Sequence, residues 1–183
     1  LKSAHSERFS CSSSISAHLP AHMKNLLLIL AAASFVTGSV IADDKIAGAK
    51  ADAKADIKIV ITGNDTMKYD TEKFEVTTGQ VVALTLKNIG TLPVQAMGHN
   101  LVILKPGTDI PTFAMAGMTN QPGGYLPKGG DFTKLIIAKI KVLGPKEEET
   151  IVFKAGAPGD YPYICTFPGH FALMKGVMKV KAK

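Results

Sequence analysis

Residues 161–176 read YPYICTFPGHFALMKG and place Cys165, His170 and Met174 within ten positions. A thiolate, an imidazole and a thioether this close together make a soft metal-donor set. With a second imidazole they form a trigonal Cys-His-His group with a weak axial Met, which suits copper in electron transfer. The chain has five His and two Cys, but His5, His18, His22 and Cys11 all precede residue 43, in a segment expected to be lost. His99 is therefore the expected second imidazole.

Each of these residues has an ordinary reading when taken alone. A single His on an apolar strand is commonly structural, and a single buried Cys behaves as a small hydrophobe. Met174 reads equally well as core filling, as do Met67, Met115, Met118 and Met178. It is the joint spacing that points to a metal. Zinc also accepts Cys and His, but a lone thiolate with two imidazoles and a thioether favours copper.

These donors need a rigid frame. Ile57–Ile61 is β-branched and ends at the turn signal Gly63-Asn64-Asp65. Phe74–Val76 alternates, Val81–Leu86 follows Gly79, and Asn88–Pro93 reads as loop. His99–Leu104 is an apolar strand closed by Pro106-Gly107. Residues 108–131 are rich in Gly, Pro, Met and Thr and predict an excursion with one short helix near Ile110–Met115. Strand character returns at Leu135–Val142, at Thr150–Phe153 after an acidic turn Lys146–Glu149, at Tyr161–Cys165 and at Gly176–Val180. Seven to eight short strands with Gly/Pro turns predict an all-β Greek-key sandwich or barrel. In that frame Cys165 ends one strand, Met174 leads into the last, and the loop between them carries His170. Pro168-Gly169 supplies the turn. Gly98 has no Cβ, so its carbonyl is expected to approach the metal as a weak further axial contact. Asn100 is expected to hydrogen-bond to the ligand loop, and Met97, Phe167, Phe171 and Leu173 to exclude water.

The amino end reads as an export signal. Met23-Lys24-Asn25 is followed by an apolar run from Leu26 to Val36 and by small residues ending Val40-Ile41-Ala42. A positive start, a short apolar core and a small-residue end describe a secretory signal peptide at 23–42. The run is short for a membrane span. Membrane association is expected only if the signal stays uncleaved. Residues 1–22 read as an overextended gene start, and residues 43–56, rich in Ala, Lys and Asp, as a linker to a domain at 57–183. Removing Lys2, Arg8, Lys24 and Glu7 lowers the net charge from +6 to +4. No Arg remains and no basic run interleaves with aromatics, which argues against nucleic acid. A single Cys in an exported chain has no internal disulfide partner, and metal ligation accounts for it.

The motif CTFPGHFALMKG resembles the ligand loop of the azurins, bacterial blue copper cupredoxins, and its Cys-to-His and His-to-Met gaps are those of azurins and the related auracyanins. MGHN at 97–100 and GNDTMKYDT at 63–71 are similar to other azurin segments, and the likeness covers about residues 57–183. It implies equatorial copper ligands at His99, Cys165 and His170, an axial Met174, a carbonyl contact from Gly98, and a helical flap at 108–131. Azurins carry a disulfide whose matching positions here are Ile57 and Gln80, so that staple is missing. Their buried Trp after MGHN is Leu101 here.

The expected function is a periplasmic one-electron carrier with one type 1 copper. Redox protein partners are expected to dock at an apolar rim of Met97, Met118, Phe167 and Pro168 near His170. Lys139, Lys141, Lys179, Lys181 and Lys183 read as solvated strand faces. The alternative is a periplasmic copper-binding or delivery protein, although the chain has no His tract. An enzyme is not expected. Two mature His cannot supply the further copper centres of an oxidase or nitrite reductase, and no acid–base pair or small-molecule substrate site has supporting spacing.

Overall fold

The structure, a computed structural model, describes residues 54–183. The expected extension, the signal segment and most of the linker lie outside the described residues. Eight strands form two packed sheets: β1 Ile57–Gly63, β2 Lys73–Thr77, β3 Val81–Asn88, β4 His99–Leu104, β5 Ile136–Leu143, β6 Glu148–Lys154, β7 Gly159–Ile164 and β8 Lys175–Lys181. The sheet orders are β1-β3-β6 and β2-β8-β7-β4-β5. β1 with β3 and β2 with β8 are parallel, and the other pairs are antiparallel.

Period-two patterning builds the core. Val82, Leu84 and Leu86 of β3 point inward and are fully buried, as are Met178 and Val180 of β8. β4 departs from alternation because it is buried along its whole length. Leu101 and Ile103 face the main core, while Val102 and Leu104 pack with Phe113, Ala114 and Ile164 in a second cluster. Phe113 and Ala114 belong to a helix at Ile110–Gly117, so the 108–131 excursion covers the outer face of β4. That helix starts where the side chain of Asp109 accepts the backbone N–H of Thr112, with Pro111 in its first turn. The strand that begins with His99 is thus clamped on both faces.

The sequence reading needs several local corrections. The acidic turn is shorter than expected, since β6 already begins at Glu148. Lys146 supplies the left-handed residue (φ 65°), Glu148 pairs with Lys87 at 2.6 Å, and Glu149 accepts the N–H of Lys141. β3 runs on through Asn88, which is 1 % exposed and donates to the carbonyl of Leu143. Val94–Met97 forms a helical turn that the apolar pattern did not reveal. Met115 and Met118 are exposed surface side chains and Met67 is half-buried, whereas Met178 fills the core as expected. Where the resemblance implies a lost disulfide, Asp56 makes two hydrogen bonds to Val81, donating its N–H and accepting with its carboxylate, both at 2.8 Å. These are non-covalent ties between β1 and β3 at that end of the sandwich.

Candidate metal centre

The loop between β7 and β8 is closed at its base. The N–H of Cys165 donates to Met174 O at 3.0 Å, and Ile164 pairs with Lys175. Within the loop His170 N donates to Phe167 O, and Met174 N donates to His170 O. Gly169 takes the left-handed conformation the turn requires (φ 81°), and His170 follows in a single 3-10 turn. The loop is therefore set by its own backbone, and Cys165, His170 and Met174 are all buried.

His99 reaches the same point from β4. Its Nε2 lies 3.0 Å from Asn64 O. A carbonyl only accepts, so Nε2 carries the proton and Nδ1 presents its lone pair. Nδ1 is buried with no hydrogen-bond partner. A buried polar atom left unpaired costs about 1–3 kcal/mol. The Nδ1 of His170 lies 3.6 Å from Cys165 Sγ, and the donor atoms of His99, Cys165 and His170 all lie within 4.8 Å of one another. Two imidazole nitrogens and a sulfur converge in a dry space, and the orphaned nitrogen faces into it. The donors present fit a soft metal ion.

Met174 is fully buried beside this cluster. A Cβ on Gly63 would lie 2.6 Å from Met174 Cε and 3.3 Å from His99 Cδ2, so the methyl end packs over the chain beside the imidazole. Gly98 is buried and extended (φ −69°, ψ 146°). An added Cβ there would lie 2.6 Å from Val142 Cγ1, 2.8 Å from Val94 O and 3.1 Å from Phe167 Cε2. Close packing against these groups is a reason for glycine that the sequence did not disclose.

Asn100 bridges to the loop as expected. Its Oδ1 accepts Thr166 N–H at 2.7 Å and its Nδ2 donates to Thr166 Oγ1 at 2.7 Å. Phe167, 6 % exposed, packs against His170 with ring centroids 4.7 Å apart and planes tilted by 42°. It backs the site and does not contribute open rim surface. Leu173 was expected to exclude water but is 57 % exposed. Phe171 packs against the second cluster under the flap. The residue that completes the seal is Tyr125, edge-on to Phe167 at 5.0 Å. Its segment reads as turn in the sequence, and no periodicity marks it.

Burial pushes the Cys165 thiol up to about 12, against the backbone N–H groups of Asn100 and Phe167, which favour the thiolate. Burial, helped by His99, pulls His170 down to about 4. Burial also lowers His99, partly offset by the Asn64 carbonyl. At neutral pH both imidazoles are thus uncharged and the thiol keeps its proton. Copper loading at pH 7 is expected to release about one proton per ion, and the apparent affinity to rise about tenfold per pH unit while Cys165 is the group displaced. Below about pH 4 His170 must also lose a proton and the dependence steepens. Loading in weakly buffered solution, followed with a pH indicator, checks both.

A β-sandwich with a buried His-Cys-His cluster closed by one strand-linking loop defines the mononuclear blue copper class. The pattern described as copper binding proteins, plastocyanin/azurin family, matches residues 55–181. The chain is 34 % identical over 131 residues to azurin of Pseudomonas fluorescens biotype A, covering 69 % of this chain and all of that protein. It is 38 % identical over 134 residues to azurin of Bordetella pertussis, covering 69 % and 85 %. Among solved structures, reduced auracyanin from Roseiflexus castenholzii aligns at a TM-score of 0.61 with 39 % identity, covering 69 % of this chain and 98 % of that one. Auracyanin A from Chloroflexus aurantiacus aligns at 0.61 with 31 % identity, covering 68 % and 98 %. The chain belongs to the plastocyanin/azurin family of copper-binding proteins, and its cofactor is copper.

Proposed function

We propose that this protein is a periplasmic one-electron carrier in which His99, Cys165 and His170 would hold copper, with Met174 and the carbonyl of Gly98 as weaker contacts. The observation that carries this reading is the orphaned, buried Nδ1 of His99 converging with Cys165 Sγ and His170 Nδ1. Copper bound there supplies reversible one-electron chemistry. The residues around it supply rigidity. The bonds of Asn100 to Thr166, the clamped loop and the doubly covered β4 leave the donors little freedom to move when the charge changes. His170, at 3 % exposure, is the one of the four side-chain donors that is not fully sealed, which favours its imidazole as the route for the electron.

The docking rim belongs to the same proposal. Met118 is 38 % exposed, Met97 and Pro168 are half-buried, and Phe167 lies beneath them. Leu173, exposed on the loop that carries His170, joins the rim. An apolar rim suits brief encounters with redox protein partners. The signal at 23–42, the extension before it, the linker at 43–56 and the domain at 57–183 complete the reading, with cleavage delivering the domain to the periplasm.

The test is the absorption and EPR spectrum of residues 43–183 loaded with Cu(II). An intense blue thiolate-to-copper band, bleached by a reductant and restored by an oxidant, is expected. A pale spectrum with ordinary tetragonal copper signals would overturn the electron-carrier reading in favour of copper delivery.

A further inference from the structure

We propose that Tyr69 is a positioning residue of the copper site, its hydroxyl fastening the turn that orients His99 to the residue whose backbone N–H faces Cys165. The inference rests on the reading of the cluster as a copper site.

It starts at an irregularity where β4 meets β5. The register of β4 against β5 shifts between His99 and Leu101, and Asn100 has no partner in either neighbouring strand. A bulge leaves one residue outside the ladder and re-aims its neighbours, and bulges gather beside functional sites. Here the extra residue lies in β5, where Lys141 and Val142 together oppose Asn100, the residue that follows His99. Asn100 is 2 % exposed, and its carbonyl accepts the hydroxyl of Tyr69 at 2.5 Å. Tyr69 is 5 % exposed, and burial holds its phenol protonated, so it stays a donor across the working pH range.

Tyr69 also closes the turn after β1 by pairing with Gly63 in an isolated antiparallel bridge. Inside that turn Asn64 O accepts the N–H of Met67 and meets Nε2 of His99. One phenol therefore joins two elements on either side of His99. One is the turn that fixes its tautomer. The other is Asn100, whose side chain holds Thr166 and whose backbone N–H favours the Cys165 thiolate. Removing the hydroxyl frees the Asn100 peptide to relax toward solvent or toward another donor, weakening the N–H that faces sulfur. A less hydrogen-bonded thiolate donates more charge and stabilises Cu(II) over Cu(I).

The test compares Tyr69→Phe with Tyr163→Phe. Tyr163 is equally buried, packs against Tyr69 at 5.6 Å and donates its hydroxyl to Thr71 O, which adjoins no donor residue. Both variants lose one buried hydroxyl bond, so thermal unfolding of the copper-free proteins measures the shared structural cost. In Tyr69→Phe alone, amide exchange at Asn100 and the reaction of Cys165 with a thiol reagent are expected to quicken about three- to tenfold in the copper-free protein, the scale of one hydrogen bond. In the copper-loaded protein the equilibrium for reduction should fall by a similar factor, with a shifted thiolate band. Equal changes in the two variants, or lost stability in Tyr69→Phe with exchange, thiol reactivity and potential unmoved, would overturn the proposal. If the wild-type protein shows no thiolate-to-copper band, the copper reading fails, while the two copper-free measurements still report on Tyr69.

Discussion

Replacing Cys165 by serine abolishes the intense visible band of the Cu(II)-loaded protein and its reversible bleaching. The band requires a thiolate. A serine hydroxyl is far too weak an acid to provide the equivalent anion, and even loss of an outer partner commonly costs 10–100-fold in metal affinity. A drop of at least about a hundredfold in Cu(II) affinity is therefore expected. The release of a proton on loading should vanish with it, since the buried thiol is the group that holds that proton at neutral pH. The fold survives. Serine is smaller than cysteine, and its oxygen falls where the N–H groups of Asn100 and Phe167 already point. The cost to the copper-free protein stays near the 1–3 kcal/mol of a buried hydroxyl imperfectly paired. Absorption, titration calorimetry and thermal unfolding of both forms check this. Retained intense colour would exclude Cys165 as the thiolate ligand.

Gly98→Ala is expected to lower stability by about 2–3 kcal/mol, the upper part of the range for overpacking a filled interior. For a domain of this size that corresponds to a fall of roughly 10 °C in Tm. The new Cβ would meet Val142 Cγ1 and Val94 O well inside contact distance, with the ring of Phe167 close behind. Val94 O is backbone and cannot swing aside, so α1 (Val94–Met97) or β4 has to shift. Gly169→Ala provides the contrast. An added Cβ there meets nothing within 4 Å, and the cost comes only from φ 81°, about 1–2 kcal/mol. Phe167 packs against His170, so alanine at 98 should also broaden the copper spectrum, whereas alanine at 169 acts through the loop backbone. Thermal unfolding of the two copper-free variants decides the ranking. Gly98→Ala proving no worse than Gly169→Ala would mean that the space around residue 98 adapts without cost.

The losses of a disulfide and a tryptophan that the azurin resemblance implies fall away from the donors. Leu101 is fully buried in the main core, and the ties of Asp56 to Val81 join β1 and β3 near the positions where the staple would have been. Neither change touches the convergence of His99, Cys165 and His170.

The strands were legible in the sequence because half-buried sheets write period-two patterns, and all eight lie within a few residues of the stretches that pattern marked. The donor loop was legible because its residues are close in sequence and its closing bonds are local, so spacing alone constrains where Cys165, His170 and Met174 can point. The pairing with His99 was legible by elimination once the amino end was set aside. What the sequence by itself determined, then, is the all-β class, the three residues His99, Cys165 and His170 that the fold brings together, and the chemistry such residue types favour. Only the tertiary structure decided the rest. It removed Leu173 from the shield, seated Phe171 against the second cluster, placed Phe167 beneath the rim, brought in Tyr125 to complete the seal, and showed Gly98 to be confined by Val142 and Val94. It also put the Tyr69 hydroxyl on the buried carbonyl of Asn100, beside the irregularity between β4 and β5. These are contacts between residues tens of positions apart. Local propensity carries no record of them, because they arise from how the sheets twist and how the excursion folds back over β4.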